Sequence, residues 1–325
     1  MQSFNTKIIN EIISQSAGGI SPVNYLVNLF SMSKETAYRR IRNTIPFSIE
    51  EAATIAADLN LSIDQLIDLK SGYFPFNKDF NVGREPEDVY FNLLNGDIEL
   101  MNKLLDAKEM KIMAVLNRIP FRLLPYPALF KFDYCHYLYS IGKISLMTRY
   151  SDIVVPLHIS DLHKQSSAYF SKLSNITCVI DSMMYSNIIR KIQYYCRSEF
   201  LSDEDLHTLQ AELLALLDSY ERLLRTGKNS AGSESIFYYT FFNIDSNVIF
   251  IEYDKNSLLQ LWIYPESPVV IKNNQQMNEV QKRWIDSEIR NSMLITKTAD
   301  IQQIEILRNT YKQISELEIK KIHNS

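Results

Sequence analysis

The chain has 325 residues, 46% hydrophobic and 22% charged, and a net charge of −4. Those values exclude a disordered polyelectrolyte and leave room for about two folded domains. A protein that coats nucleic acid along its whole surface is excluded as well, although a local basic reading surface is not.

No window holds the roughly 18 uninterrupted apolar residues of a membrane span, and Asn5, Lys7, Asn10 and Glu11 stand where a signal peptide needs an apolar run. The expectation is a cytoplasmic protein with no membrane partner. Three cysteines, Cys135, Cys178 and Cys196, lie far apart without Cys-x-x-Cys spacing, so they read as buried thiols rather than a disulfide framework or zinc knuckle.

The first 70 residues read as short helices with clear stops. One runs from about Asn5 to Ile13, with Ile8, Ile9, Ile12 and Ile13 on a single face, and ends before Ala17-Gly18-Gly19. Ser21 offers an N-cap and Pro22 the preset φ of a first helical position, which places a second helix over Pro22 to Phe30. Ser33 caps a third, Lys34 to Asn43, and Pro46 forces its exit. Ser48 with Glu51 forms a capping box opening a fourth through Leu59, and Ser62 with Gln65 opens a fifth through about Leu69. Residues 1 to 72 hold six basic and seven acidic side chains, and four of the six bases, Lys34, Arg39, Arg40 and Arg42, fall inside the third helix.

Two consecutive short helices with this spacing can act as a helix-turn-helix, one crossing the DNA backbone and the next lying in the major groove. Leu26, Val27, Phe30, Met32, Ala37 and Ile41 supply the apolar inner face that locks the pair. Candidate DNA contacts are Ser33, Lys34, Glu35, Thr36, Tyr38, Arg39, Arg40, Arg42 and Asn43. The bases suit phosphates or guanine O6 and N7, Thr36 and Tyr38 suit neutral contacts, and Glu35 suits a cytosine amino group.

The run Leu29-Phe30-Ser31-Met32-Ser33-Lys34-Glu35-Thr36-Ala37-Tyr38-Arg39-Arg40-Ile41-Arg42 resembles the turn and reading helix of the phage-repressor and Cro-like, or XRE-like, regulators. Ile49 to Ile67, with Ala53, Ile55, Ala56, Leu59, Leu61, Ile63 and Leu66, is similar to that family's closing helices. The resemblance covers residues 1 to about 70 and implies a five-helix domain that binds a double-stranded operator as a two-fold homodimer. Three positions depart from the pattern: Ser31 stands at the turn glycine, Val27 at the small position of helix two, and Arg40 at an apolar position of the reading helix.

Residues 73 to 86, with Pro75, Gly83 and Pro86, read as a linker. From Pro86 to Gly227 the pattern is helical, broken at Pro120, Pro125, Pro127 and Pro156. Ile236–Phe242, Val248–Tyr253 and Leu258–Tyr264 are β-branched and aromatic runs separated by turn formers, which predicts an antiparallel meander over about 236–264. Helical pattern resumes from about Gln275 to Ile322. The expected fold is therefore mainly α with a small antiparallel β-meander: a five-helix head, and over 87–325 a mostly helical α+β domain for dimerisation or effector sensing.

Ile119-Pro120-Phe121 with Tyr126-Pro127-Ala128-Leu129-Phe130-Lys131 looks like a segment of bacterial regulators of this layout. Nearby Phe132, Tyr134, Tyr137 and Tyr139 fit either a pocket for a small-molecule or protein effector or a packed core. Leu206, Leu209, Leu213, Leu216, Tyr220 and Leu223 carry a coiled-coil rhythm for only about two and a half heptads, so they fit a core helix better than a dimer seam. His158 and His163 are five apart, which does not align them on one helix face as metal ligands. With 8 glycines and no nucleophile, Walker or zinc-protease motif, neither catalysis nor a cofactor or metal is expected. The alternative to a DNA-binding regulator is a scaffold whose head binds protein partners.

Overall fold

A computed structural model describes residues 3–16, 21–59, 61, 63, 84–264, 267–298 and 301–317. The chain divides into two compact units, Met1–Lys78 and Asp79–Ser325. The fifth head helix read at Ser62 to Leu69, most of the linker and the last residues before Ile322 lie outside the described residues.

In the first unit the helices among the described residues are α1 (Phe4–Ser16), α2 (Pro22–Phe30), α3 (Lys34–Ile41) and α4 (Ile49–Asp58). Each start has a local cause. Ser21 Oγ accepts from Asn24 N, and Ser33 Oγ accepts from Thr36 N, each at 3.2 Å. Ser48 and Glu51 form both halves of a capping box. The buried centre is Ile8, Ile12, Leu26, Ala37, Ala52 and Ile55, with Val27, Phe30, Met32 and Ile41 packed against it half-buried.

α2 stops because Ser31 turns into the left-handed region, with φ 51° and ψ 31°. A residue with a Cβ is strained there by about 1–2 kcal/mol, and glycine is not, although glycine returns part of that gain as unfolded-chain entropy. Ser31→Gly should therefore stabilise the head by about 0.5–1 kcal/mol, slowing hydrogen exchange at the Leu26 and Ala37 amides by about two- to fivefold. Unchanged or faster exchange would show that Ser31 carries no strain.

The second unit departs from the expected fold class. Among the described residues it is built on a mixed sheet of seven strands, not a small antiparallel meander. Among the described residues the elements run α5 (Pro86–Asp106), β1 (Met110–Leu116), a 3-10 turn (Phe121–Leu123), α6 (Pro127–Ser140), a second 3-10 turn (Tyr150–Asp152), α7 (Leu157–Phe170) and β2 (Ile176–Ile180). There follow α8 (Met183–Arg197), α9 (Asp203–Thr226), β3 (Ser235–Tyr239), β4 (Asn247–Tyr253), β5 (Asn256–Tyr264), β6 (Ser267–Lys272), α10 (Gln275–Arg290), β7 (Met293–Leu294) and α11 (Ile301–Ser315).

Two central strands, β1 and β2, sit inside the stretch that reads as helical. Both are short apolar runs covered on both faces, so they lack the period-two alternation that marks a half-exposed strand. Met113, Val115 and Val179 pack with Ile285 of α10 on one face. Ala114, Cys178 and Ile180 face α6, α8 and α9 on the other.

The second departure concerns pairing, in the strand order β6-β5-β4-β1-β2-β3-β7. β1, β2 and β3 are parallel neighbours, with Ala114 opposite Cys178 and Cys178 opposite Phe237. β3 therefore does not form a hairpin with β4; the true meander is β4-β5-β6, one strand later than the composition suggests. The chain leaves β3 and crosses the carboxyl ends of β2 and β1 before pairing β4 antiparallel to β1. Polar side chains hold that crossing. Ile244 N donates to Asp181 Oδ2 at 2.8 Å, and Asn117 N donates to Asn247 Oδ1 at 2.8 Å. Burial pushes the Asp181 carboxyl above its ordinary range, against the backbone N–H bonds it accepts.

α9 is a core helix: Leu206, Leu209, Leu213, Leu216 and Tyr220 are buried within the unit and Leu223 packs against the same core. All three cysteines are buried and free. Burial raises the Cys135 and Cys178 thiols to about 12 and Cys196 to about 11, far from the thiolate form.

Candidate nucleic-acid interface

α3 is eight residues long and its sides are sharply divided. At 3.6 residues per turn, positions 34, 35, 38, 39 and 42 follow one another along one side, and 37 and 41 fall on the inner one. Ala37 is completely buried beneath α2, and its small side chain lets the two helices approach. Lys34, Glu35, Tyr38, Arg39 and Arg42 are all exposed, and with Thr44 they line one concave surface. Three cations and one carboxylate share that surface, which makes it locally basic on a chain of negative net charge. The Arg42 guanidinium lies 5.8 Å from the centre of the Tyr38 ring, so the two side chains brace each other.

The remaining candidates are occupied internally. Ser33 is the N-cap, and its hydroxyl lies 3.0 Å from that of Thr36. Asn43 ends the helix at φ 60°. Its N–H bonds Arg40 O and the N–H of Thr44 bonds Arg39 O, each at 2.9 Å, which is the Schellman pattern. The Asn43 side chain accepts from Asn5 Nδ2 and donates to Thr6 Oγ1, fastening the end of α3 to α1.

Arg40 points away from the exposed stripe. Its Nη2 donates to Glu51 Oε1 at 2.8 Å, and its guanidinium lies 5.6 Å from the Phe47 ring centre. Thr44 lies beyond the helix, where helical spacing does not find it, and the Schellman turn folds it back beside Arg39.

In the second unit the aromatic segment after Pro120 is packed, not open. Phe121, Phe130, Phe132, Tyr134 and Tyr137 are buried, and Tyr139 is half-buried against the same core. His163 stacks on Phe130 with ring centres 3.9 Å apart, and its Nε2 bonds the carbonyls of Phe121 and Leu124. Burial lowers the His163 pKa, which favours the neutral ring that donates one hydrogen bond without a buried charge. His158 lies elsewhere, 3.0 Å from Glu87. The two histidines are not brought together.

No family model, curated protein or solved structure matches the chain. Among the described residues, no helix is long and apolar enough to cross a membrane.

Proposed function

We propose that the chain is a cytoplasmic transcription regulator that binds double-stranded DNA sequence-specifically, with α3 as its reading helix. The observation that carries this is the exposed, basic stripe Lys34, Glu35, Tyr38, Arg39 and Arg42 on a helix locked by its other side under α2. In the major groove the N-terminal half of such a helix meets base edges, which assigns Lys34, Glu35 and Tyr38 to readout. Arg39 and Arg42, in the last turn, reach the flanking phosphates together with Thr44. The amides opening α2 and α3 add phosphate donors of their own.

One eight-residue helix reads too few bases for useful specificity, so the reading includes a homodimer on half-sites about 34 Å apart, held through the second unit. Selection of random-sequence duplexes on the immobilised full chain tests both parts. It should enrich a motif with two-fold symmetry, and sedimentation should show a dimer at tens of micromolar. Enrichment of a single half-site by a monomer would remove the dimer, and recovery of no motif at all would favour a head that binds protein partners.

A further inference from the structure

The last turn of α3 carries a cation, Arg40, on the side opposite the exposed stripe. Arg40 and Glu51 are both partly buried, with side-chain exposures of 14% and 21%. Glu51 is itself immobilised, because Oε2 accepts from Ser48 N at 2.7 Å as half of the α4 capping box while Oε1 takes Arg40. Arg40 Nε is buried and has no hydrogen-bond partner among the described residues. An apolar side chain of similar length would fill this place at lower desolvation cost, so packing alone does not account for an arginine.

What the pair adds is direction. Glu51 is held at the start of α4 by Ser48 N, and the Nη2–Oε1 bond ties the side of α3 that carries Arg40 to that point. The segment between them is held as well: Phe47 N donates to Asn5 Oδ1 at 2.9 Å, and Asn43 binds α1.

We infer that Arg40 is a positioning residue, which sets the rotation of α3 through Glu51 and thereby aims Lys34, Tyr38, Arg39 and Arg42 at DNA while touching no phosphate itself. The aiming role rests on the DNA reading above; the lock between α3 and α4 stands on the geometry alone.

Two variants of the full chain separate these. Arg40→Met keeps the length of the stem and removes the charge. Glu51→Gln is milder, since glutamine still accepts from Ser48 N and preserves the capping box. At a temperature where circular dichroism shows both fully folded, each should weaken binding to a mixed-sequence DNA duplex by about tenfold. The double variant should be no weaker than either single one, because the two changes break the same interaction.

The slope of log affinity against log salt should stay at the wild-type value in all three, since no phosphate contact is lost. A slope shallower by about 0.9 in Arg40→Met, with Glu51→Gln unaffected, would make Arg40 a phosphate ligand and overturn the inference. Wild-type affinity in both variants would overturn it too. Hydrogen exchange reads the lock without DNA: the amides of residues 38–45 should exchange faster in both variants, and unchanged rates there would also overturn it. A wild-type chain that retains no duplex removes the DNA reading and the aiming role together, whereas unchanged exchange in a chain that binds DNA removes the positioning role alone.

Discussion

Replacing Lys34, Arg39 and Arg42 together by alanine should lower DNA affinity about a thousandfold, which corresponds to about 4 kcal/mol over three contacts of the size usual for bases and phosphates. Stability should barely change, because all three side chains are exposed and none belongs to the core of the head. Single variants divide the roles. Loss of a phosphate ligand flattens the salt dependence by about 0.9 per contact and weakens all sequences alike, whereas loss of a base contact relaxes preference at one position. Fluorescence anisotropy over a range of salt concentrations measures both. A triple variant that binds like the wild type would sink the assignment of α3 as the reading helix.

Arg40 stands opposite the exposed stripe and has another partner, Glu51. From the sequence it belongs with Arg39 and Arg42 as one more base in a basic run. Glu51 lies eleven positions away, and nothing local says that the two meet.

The largest effect on stability is expected in the second unit. Asp97 of α5 and Arg122 of the first 3-10 turn form an ion pair with Nε and Oδ2 2.5 Å apart and side-chain exposures of 9% and 8% respectively. The Arg122 guanidinium lies 4.2 Å from the centre of the Trp262 ring of β5. Asp97→Ala leaves a buried cation without its counter-charge, and breaking such a pair costs about 3–5 kcal/mol. Thermal unfolding of the full chain should show the transition of this unit about 10 °C lower, at roughly 2–4 °C per kcal/mol for its size. The double change Asp97→Leu with Arg122→Met removes both charges and should recover most of the loss. If Asp97→Ala melts with the wild type, or the double variant is worse than the single one, the pair is not what joins α5 to the 3-10 turn.

The second unit shows where local pattern stops being informative. Alternation reveals a strand only when one face is wet, and β1 and β2 are covered by helices on both. Their apolar runs therefore look like pieces of the surrounding helices. The β3 segment is recognisable as a strand, yet its neighbour is not. Asp245-Ser246-Asn247 has the composition of a hairpin turn, while in the structure the chain crosses two strand ends there, fastened by Asp181 and Asn117 from elsewhere in the sequence.

The starts of α2, α3 and α4 were determined by the sequence alone, because Ser21, Ser33 and the Ser48–Glu51 box act over three residues and need nothing distant. So was the inner face of the head, through Leu26 and Ala37, since helical spacing aligns them. The tertiary structure decided which of the basic side chains share an exposed surface, because the rotation of a short helix is set by what its hidden side packs against. It also decided the order and direction of the seven strands, because pairing is a choice among partners far apart in the chain, made by burial of both sheet faces at once.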